Sequence, residues 1–175
     1  MDKFIPIQMK QFLFILLLSP LLAIGQTIKK FEFVYSITSM PGTVPNTYYS
    51  SENLFIRNMV VDPPQKIKIK LTKKERQQIE NKINEINFFS YPEVYKFERV
   101  DTPAFASVPS VCSKYSVTVF VKEWPKQVSW NDCHGGGKSK NNQYENLQEL
   151  SALIWNIIVG KKNFKKAKEP RAMYL

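Results

Sequence analysis

The chain has 175 residues, with 25 Lys and Arg against 15 Asp and Glu and a formal net charge of +10. That length is about one ordinary domain, with chain enough for one hydrophobic core. The basic balance points toward anionic lipid, polysaccharide, nucleic acid or an acidic protein surface as partner, or to a solvated surface with a basic tail.

Phe12-Leu13-Phe14-Ile15-Leu16-Leu17-Leu18 is an uninterrupted apolar run, preceded by Lys10 and followed by Ala23-Ile24-Gly25. This is the build of a secretory signal peptide, residues 1–25, with cleavage expected between Gly25 and Gln26. The run falls short of the roughly 20 apolar residues that span a bilayer, and Ser19-Pro20 breaks it. The compact start Met9-Lys10-Gln11 reads as the true beginning of the leader. A lipoprotein signal needs Cys after the cleavage site, and Gln26 stands there, so a soluble periplasmic or secreted protein is expected, with no transmembrane segment after cleavage. Removing the leader leaves about 150 residues with a charge of about +9.

Residues 28–39 alternate Phe31, Phe33, Tyr35 and Ile37 and predict a first strand. A Pro- and Gly-punctuated loop follows at 40–46, then a second, less regular strand region at 48–61, which Asp62-Pro63-Pro64 is expected to end. Residues 66–71 alternate strictly, with Ile67, Ile69 and Leu71 on one face and Lys66, Lys68 and Lys70 on the other. Three lysines on one face either protect an exposed sheet edge or grip a polyanion. Thr72-Lys73-Lys74-Glu75 is a capping box, opening a helix with Ile79, Ile83 and Ile86 on one stripe. Phe88, Phe89, Tyr91 and Pro92 close it.

Residues 93–110 read as a long loop with a short strand near 94–97, placed to cover a sheet edge or to serve function. Residues 115–121 form the clearest strand, and 127–131 return as its hairpin partner after Trp124-Pro125. Cys112 and Cys133 sit just outside the open end of that hairpin and enclose about 20 residues. In an oxidising compartment they predict a disulfide worth about 3 kcal/mol. The alternative, a reactive thiol, requires a converging base, and the only histidine, His134, is the immediate neighbour of Cys133. A flexible loop at 134–141 leads to a last helix starting near Asn142, with Glu145 as a second capping-box residue. Leu147, Leu150, Ile154, Ile157 and Ile158 form its buried stripe, and Gly160 stops it. Residues 161–175 form a basic C-terminal tail after a single domain at 26–160.

Catalytic chemistry finds little support. Gly137-Lys138-Ser139 ends like a phosphate loop, but Asp132 stands where its first glycine belongs, so no nucleotide is expected. Asp132, Cys133 and His134 are contiguous, without metal-ligand spacing, so no metal or other cofactor is expected. Glu93, Glu98, Asp101, Glu123 and Asp132 are scattered, and no Gly-x-Ser-x-Gly elbow is present. Trp130 and Trp155 fit core faces, whereas Trp124 lies at a turn. An exposed Trp124 flanked by Lys122 and Lys126 either anchors a partner or stacks on sugar, or else packs against the neighbouring helix.

From Leu71 onward the order of features is capping box, short helix, Asn87-Phe88-Phe89-Ser90-Tyr91-Pro92, the two hairpin strands, and an Asn146-Leu147-Gln148-Glu149-Leu150 helix. Over roughly residues 66–158 this resembles the emfourin-like proteins, small bacterial α+β proteins that include inhibitors of thermolysin-like metalloproteases. The cysteine pair and the Gly-rich loop depart from that pattern. The layout also resembles exported proteins of Bacteroidota bacteria. The expected fold is α+β, an antiparallel sheet of about four to five strands with two helices on one face. The expected function is a non-enzymatic binding or inhibitor-like module of the bacterial envelope, with an unknown protein or glycan partner. A polyanion- or glycan-binding protein using Lys66, Lys68, Lys70 and the 161–168 tail is the alternative. A hydrolase with a loop-borne site at His134 is the second.

Overall fold

The computed structural model describes residues 31–39, 43–98, 112–121, 124–133, 139 and 142–171. The expected leader, Lys122 and His134 lie outside the described residues. Six antiparallel strands form one open sheet: β1 (Glu32–Thr38), β2 (Asn46–Tyr49), β3 (Leu54–Met59), β4 (Asp62–Lys68), β5 (Lys114–Val121) and β6 (Trp124–Asn131). Three helices accompany them: α1 (Lys73–Glu85), α2 (Gln143–Gly160) and α3 (Lys162–Lys166). The α+β class and the antiparallel sheet agree with the sequence reading. The element counts correct it, from four to five strands and two helices to six and three among the described residues.

The additional strands arise from the 48–61 region. Turn residues Ser50 to Asn53 split it into β2 and β3, with Asn53 at φ 52°. Asn tolerates the left-handed region better than most residues, so the turn costs little. Asp62-Pro63-Pro64 does not end a strand but begins β4. The chain reverses at Val60, φ 64°, and Met59 pairs with Asp62. Prolines are tolerated there because β4 is an edge strand, where a missing N–H removes no ladder bond on its open side.

The sheet order is β4-β3-β2-β1-β5-β6. Side-chain alternation sends Phe33, Tyr35, Tyr48, Phe55, Val117, Val119, Val128 and Trp130 to one face, where all are buried. Ile79, Ile83 and Ile86 of α1 and Leu147, Leu150, Ile154 and Ile158 of α2 join them in one core. The α1 cap forms as the capping-box rule requires: Glu75 N donates to Thr72 Oγ1, and Thr72 N donates to Glu75 Oε2. The α2 cap does not follow the rule. Asn142 caps with left-handed backbone, φ 54°, and no side-chain hydrogen bond, and the Glu145 carboxylate accepts from the Ser139 hydroxyl and the Ser139 N–H instead of reaching back to the cap.

Residues 161–171 pack on the domain. Phe164 lies against Phe55 and Trp155 at ring separations of 5.5 and 5.8 Å. Arg57, buried in β3, stacks its guanidinium 4.0 Å over the Phe164 ring and donates to Lys168 O at 2.8 Å. Asn163 Nδ2 donates to Lys68 O at 2.7 Å, and Lys168 Nζ meets Asp62 Oδ2 at 2.8 Å. The segment therefore runs back along β4, from its last residue to its first. At the opposite edge, Tyr95 N donates to Ser129 O and Ser129 N donates to Glu93 O, a parallel bridge that covers β6 toward its disulfide end. Both edges are thus guarded, one by lysines, prolines and α3, the other by the 93–95 strap.

Cys112 and Cys133 form a disulfide with their Cα atoms 5.1 Å apart. It closes the base of the β5–β6 hairpin, where Asp132 accepts from Ser113 N and from Tyr115 Oη. Among the described residues no helix is long and apolar enough to cross a membrane.

Candidate functional site

Strand register fixes where each candidate residue lies. Along β1, Glu32 is opposite Phe120, Val34 opposite Thr118, and Thr38 opposite Lys114. The β5–β6 tip, with Val121 opposite Trp124, therefore extends past the start of β1. Cys112 and Cys133 lie at the other end of the same hairpin. Trp124 is 81% exposed, and Phe120 and Val121 are each nearly half exposed beside it. The packing alternative for Trp124 is thereby removed. Lys126 sits opposite Val119, half-buried.

Trp130 is buried as expected and stacks on Tyr115 with ring centroids 5.6 Å apart. Trp155 is partly buried against Phe55 and Phe164. A groove of about 600 Å³ opens at the disulfide end, lined by Val94, Tyr95, Phe97, Lys114, Trp130 and both cysteines among others. Trp124 is not part of it. The exposed tryptophan and this groove occupy opposite ends of β6.

Lys66 and Lys68 project from edge strand β4 as the alternation predicts, and Lys70 follows, all three exposed. The structure brings them a neighbour that the sequence did not place. Lys161 Nζ binds both oxygens of Glu75 at 2.5 and 2.7 Å, which draws the start of α3 against the first turn of α1. The Asn163–Lys68 bond holds α3 beside β4. β4, the start of α1 and α3 thereby meet at one corner of the molecule, and Lys66, Lys68, Lys70, Lys73, Lys74, Lys162, Lys165 and Lys166 on these elements and their junctions are all exposed. The carboxylates of that corner are already committed: Glu75 to Lys161, Asp62 to Lys168, and Glu169 to Arg57 at 3.6 Å. Glu75 illustrates the balance. Burial alone would raise its pKa, but the Lys161 ammonium and the Thr72 cap outweigh burial and hold it below the ordinary range.

Burial pushes the Tyr35 and Tyr48 phenols up to about 12, and hydrogen bonds from Ser139 overcome burial to hold Glu145 down. Asp62 is likewise held low, chiefly by Lys168. At neutral pH these phenols are therefore held neutral and these carboxylates ionised. Among the described residues no three His, Cys, Asp or Glu side chains cluster to hold a metal ion. The sequence matches no protein-family model and no curated protein.

Proposed function

We propose that this chain is an exported, non-enzymatic binding module of the bacterial envelope and that its ligand is polyanionic. The observation that carries the reading is the lysine corner, where β4, the start of α1 and α3 converge and pair off their own carboxylates. Lysines on a lone edge strand are explained by protection against aggregation. Lysines on three separate elements held side by side exceed that need, because α3 already shields the strand. Eight cations at one corner generate a positive field that a polyanion neutralises while releasing its counterions, so binding falls steeply with salt. The disulfide agrees with an exported destination.

Heparin chromatography of the full chain, purified from the exported fraction of an expressing bacterium, tests the reading. Retention at about 50 mM salt is expected, with elution moved to lower salt by the triple change Lys66→Glu, Lys68→Glu and Lys70→Glu. Lys114→Glu, at the disulfide end, is expected to leave elution unchanged. Absence of retention, or equal loss in both variants, rejects the proposal.

A further inference from the structure

We infer that the polyanion is the headgroup layer of an anionic lipid bilayer, docked on the end of the sheet where the β5–β6 hairpin turns. The inference rests on the polyanion reading and specifies its ligand. Strand register places two different surfaces at this one end. On the β6 side lie Trp124, Phe120 and Val121. On the β4 side, Lys68 pairs with Leu54, Leu54 with Tyr49, and Tyr49 with Val34, two rows in from Glu32 and Phe120. Lys70, Lys73 and Lys74 follow Lys68 in the chain at the same end, because α1 starts there: Arg76 donates to Phe31 O and to Ser50 O. Five strand spacings of about 4.8 Å separate β4 from β6, so the lysines and the aromatic tip are about 24 Å apart.

That separation identifies the ligand. A single anionic polymer chain lying on β4 and α3 satisfies the lysines without reaching Trp124. A bilayer is flat and wide, and it meets both surfaces at once. Its phosphates match the ammonium groups, and its headgroup–acyl boundary takes up an indole, whose apolar body and polar N–H favour that depth. Lysine stems reach sideways along such a surface while keeping their charge at the phosphates. Among the described residues the acidic groups at this end are Glu32 and Glu52, beside Glu75, which Lys161 neutralises.

The experiment measures binding of the full exported chain to vesicles of phosphatidylcholine with about 30% phosphatidylglycerol, to pure phosphatidylcholine vesicles, and to heparin. Binding to heparin and to the anionic vesicles, but not to pure phosphatidylcholine vesicles, is expected. Trp124→Ala should weaken it about tenfold while leaving heparin elution unchanged. Lys70→Glu combined with Lys74→Glu should weaken it by at least about fivefold per position. Lipids brominated along the acyl chain should quench the fluorescence of the wild type more than that of Trp124→Phe, since Trp130 and Trp155 lie in or against the core. Heparin retention without vesicle binding overturns the bilayer and leaves the polyanion reading standing. Vesicle binding that Trp124→Ala does not weaken, or no difference in quenching, overturns the docking geometry. Binding to neither ligand overturns both.

Discussion

The hydroxyl pair that joins β1 to α2 offers a demanding test of the core. Tyr35 Oη and Ser151 Oγ lie 2.9 Å apart, with Tyr35 wholly inaccessible and Ser151 3% exposed. Ser151→Ala leaves the tyrosine hydroxyl buried without its partner, at a cost of about 1–3 kcal/mol. Alanine returns about 0.5 kcal/mol of that through its better helix propensity. Tyr35→Phe leaves the serine hydroxyl, which sits on a helix and can turn to the carbonyl four residues back, so its cost is about 0.5–1.5 kcal/mol. The double variant removes both polar groups and should cost less than the sum of the singles by about 1 kcal/mol or more. Urea unfolding at neutral pH, followed by circular dichroism, measures the cycle. Additivity within about 0.5 kcal/mol would refute the argument that desolvation of the orphaned hydroxyl dominates.

The same pair sets an alkaline limit. The phenol of Tyr35 titrates at about 12 in the folded chain against 10 for a free tyrosine, so folding favours its neutral form. That stabilisation is complete below pH 10 and is lost as pH rises from 10 toward 12. Each two-unit shift corresponds to about 2–3 kcal/mol. Tyr48, also raised to about 12, contributes alongside it. Burial also raises Tyr91, Tyr95, Tyr115 and Tyr144, so Tyr35→Phe should flatten part of the alkaline loss of stability. An unchanged slope between pH 10 and 12 would count against the assignment.

Two further outcomes follow from the packing. Replacing both Cys112 and Cys133 by Ser should lower stability by about 3 kcal/mol and should make the urea midpoint insensitive to reductant, whereas the wild type loses stability on reduction. Arg57→Ala removes the bond to Lys168 O and the stack on Phe164, and should cost about 2 kcal/mol. The exposed Glu169 partner adds almost nothing to that figure. Hydrogen exchange should show the loss concentrated in residues 161–171, and uniform deprotection of the whole sheet would contradict the local role of Arg57.

Features set by near neighbours in the chain were legible in the sequence. The Thr72–Glu75 cap and the isoleucine stripe depend on spacings of three and four, and both are present. The β5–β6 hairpin and its cysteines depend on alternation within one short segment, and both formed. The 93–95 strap also covers an edge, as the loop reading allowed. What the sequence hid depended on distant partners. Asp62-Pro63-Pro64 has the local chemistry of a terminator, and only its position at the sheet edge makes it a strand. Glu145 had a capping geometry available, and Ser139 competed for it. Arg57 looked like any surface cation on an irregular strand, because its burial is supplied by Phe164, more than a hundred residues away. The lysine corner was read as a strand face and a tail. The Lys161–Glu75 and Asn163–Lys68 bonds that join them leave no local pattern. A lysine at 161 facing the N-terminal acid of another helix was the one available signal.

The position of the disulfide bears on how the chain matures under the export proposed above. A polypeptide that crosses a membrane unfolded must assemble where no ATP-driven chaperone assists it. With two cysteines in the chain, only one intramolecular pairing exists, so no wrong partner has to be undone. The two are 21 positions apart and belong to strands that adjoin in both sequence and space. Oxidation can therefore proceed once the hairpin zips, before β5 finds β1 across the long connection through α1. The covalent step then gives that late, entropically expensive pairing a rigid two-stranded edge to add to, rather than two loose segments to be ordered together.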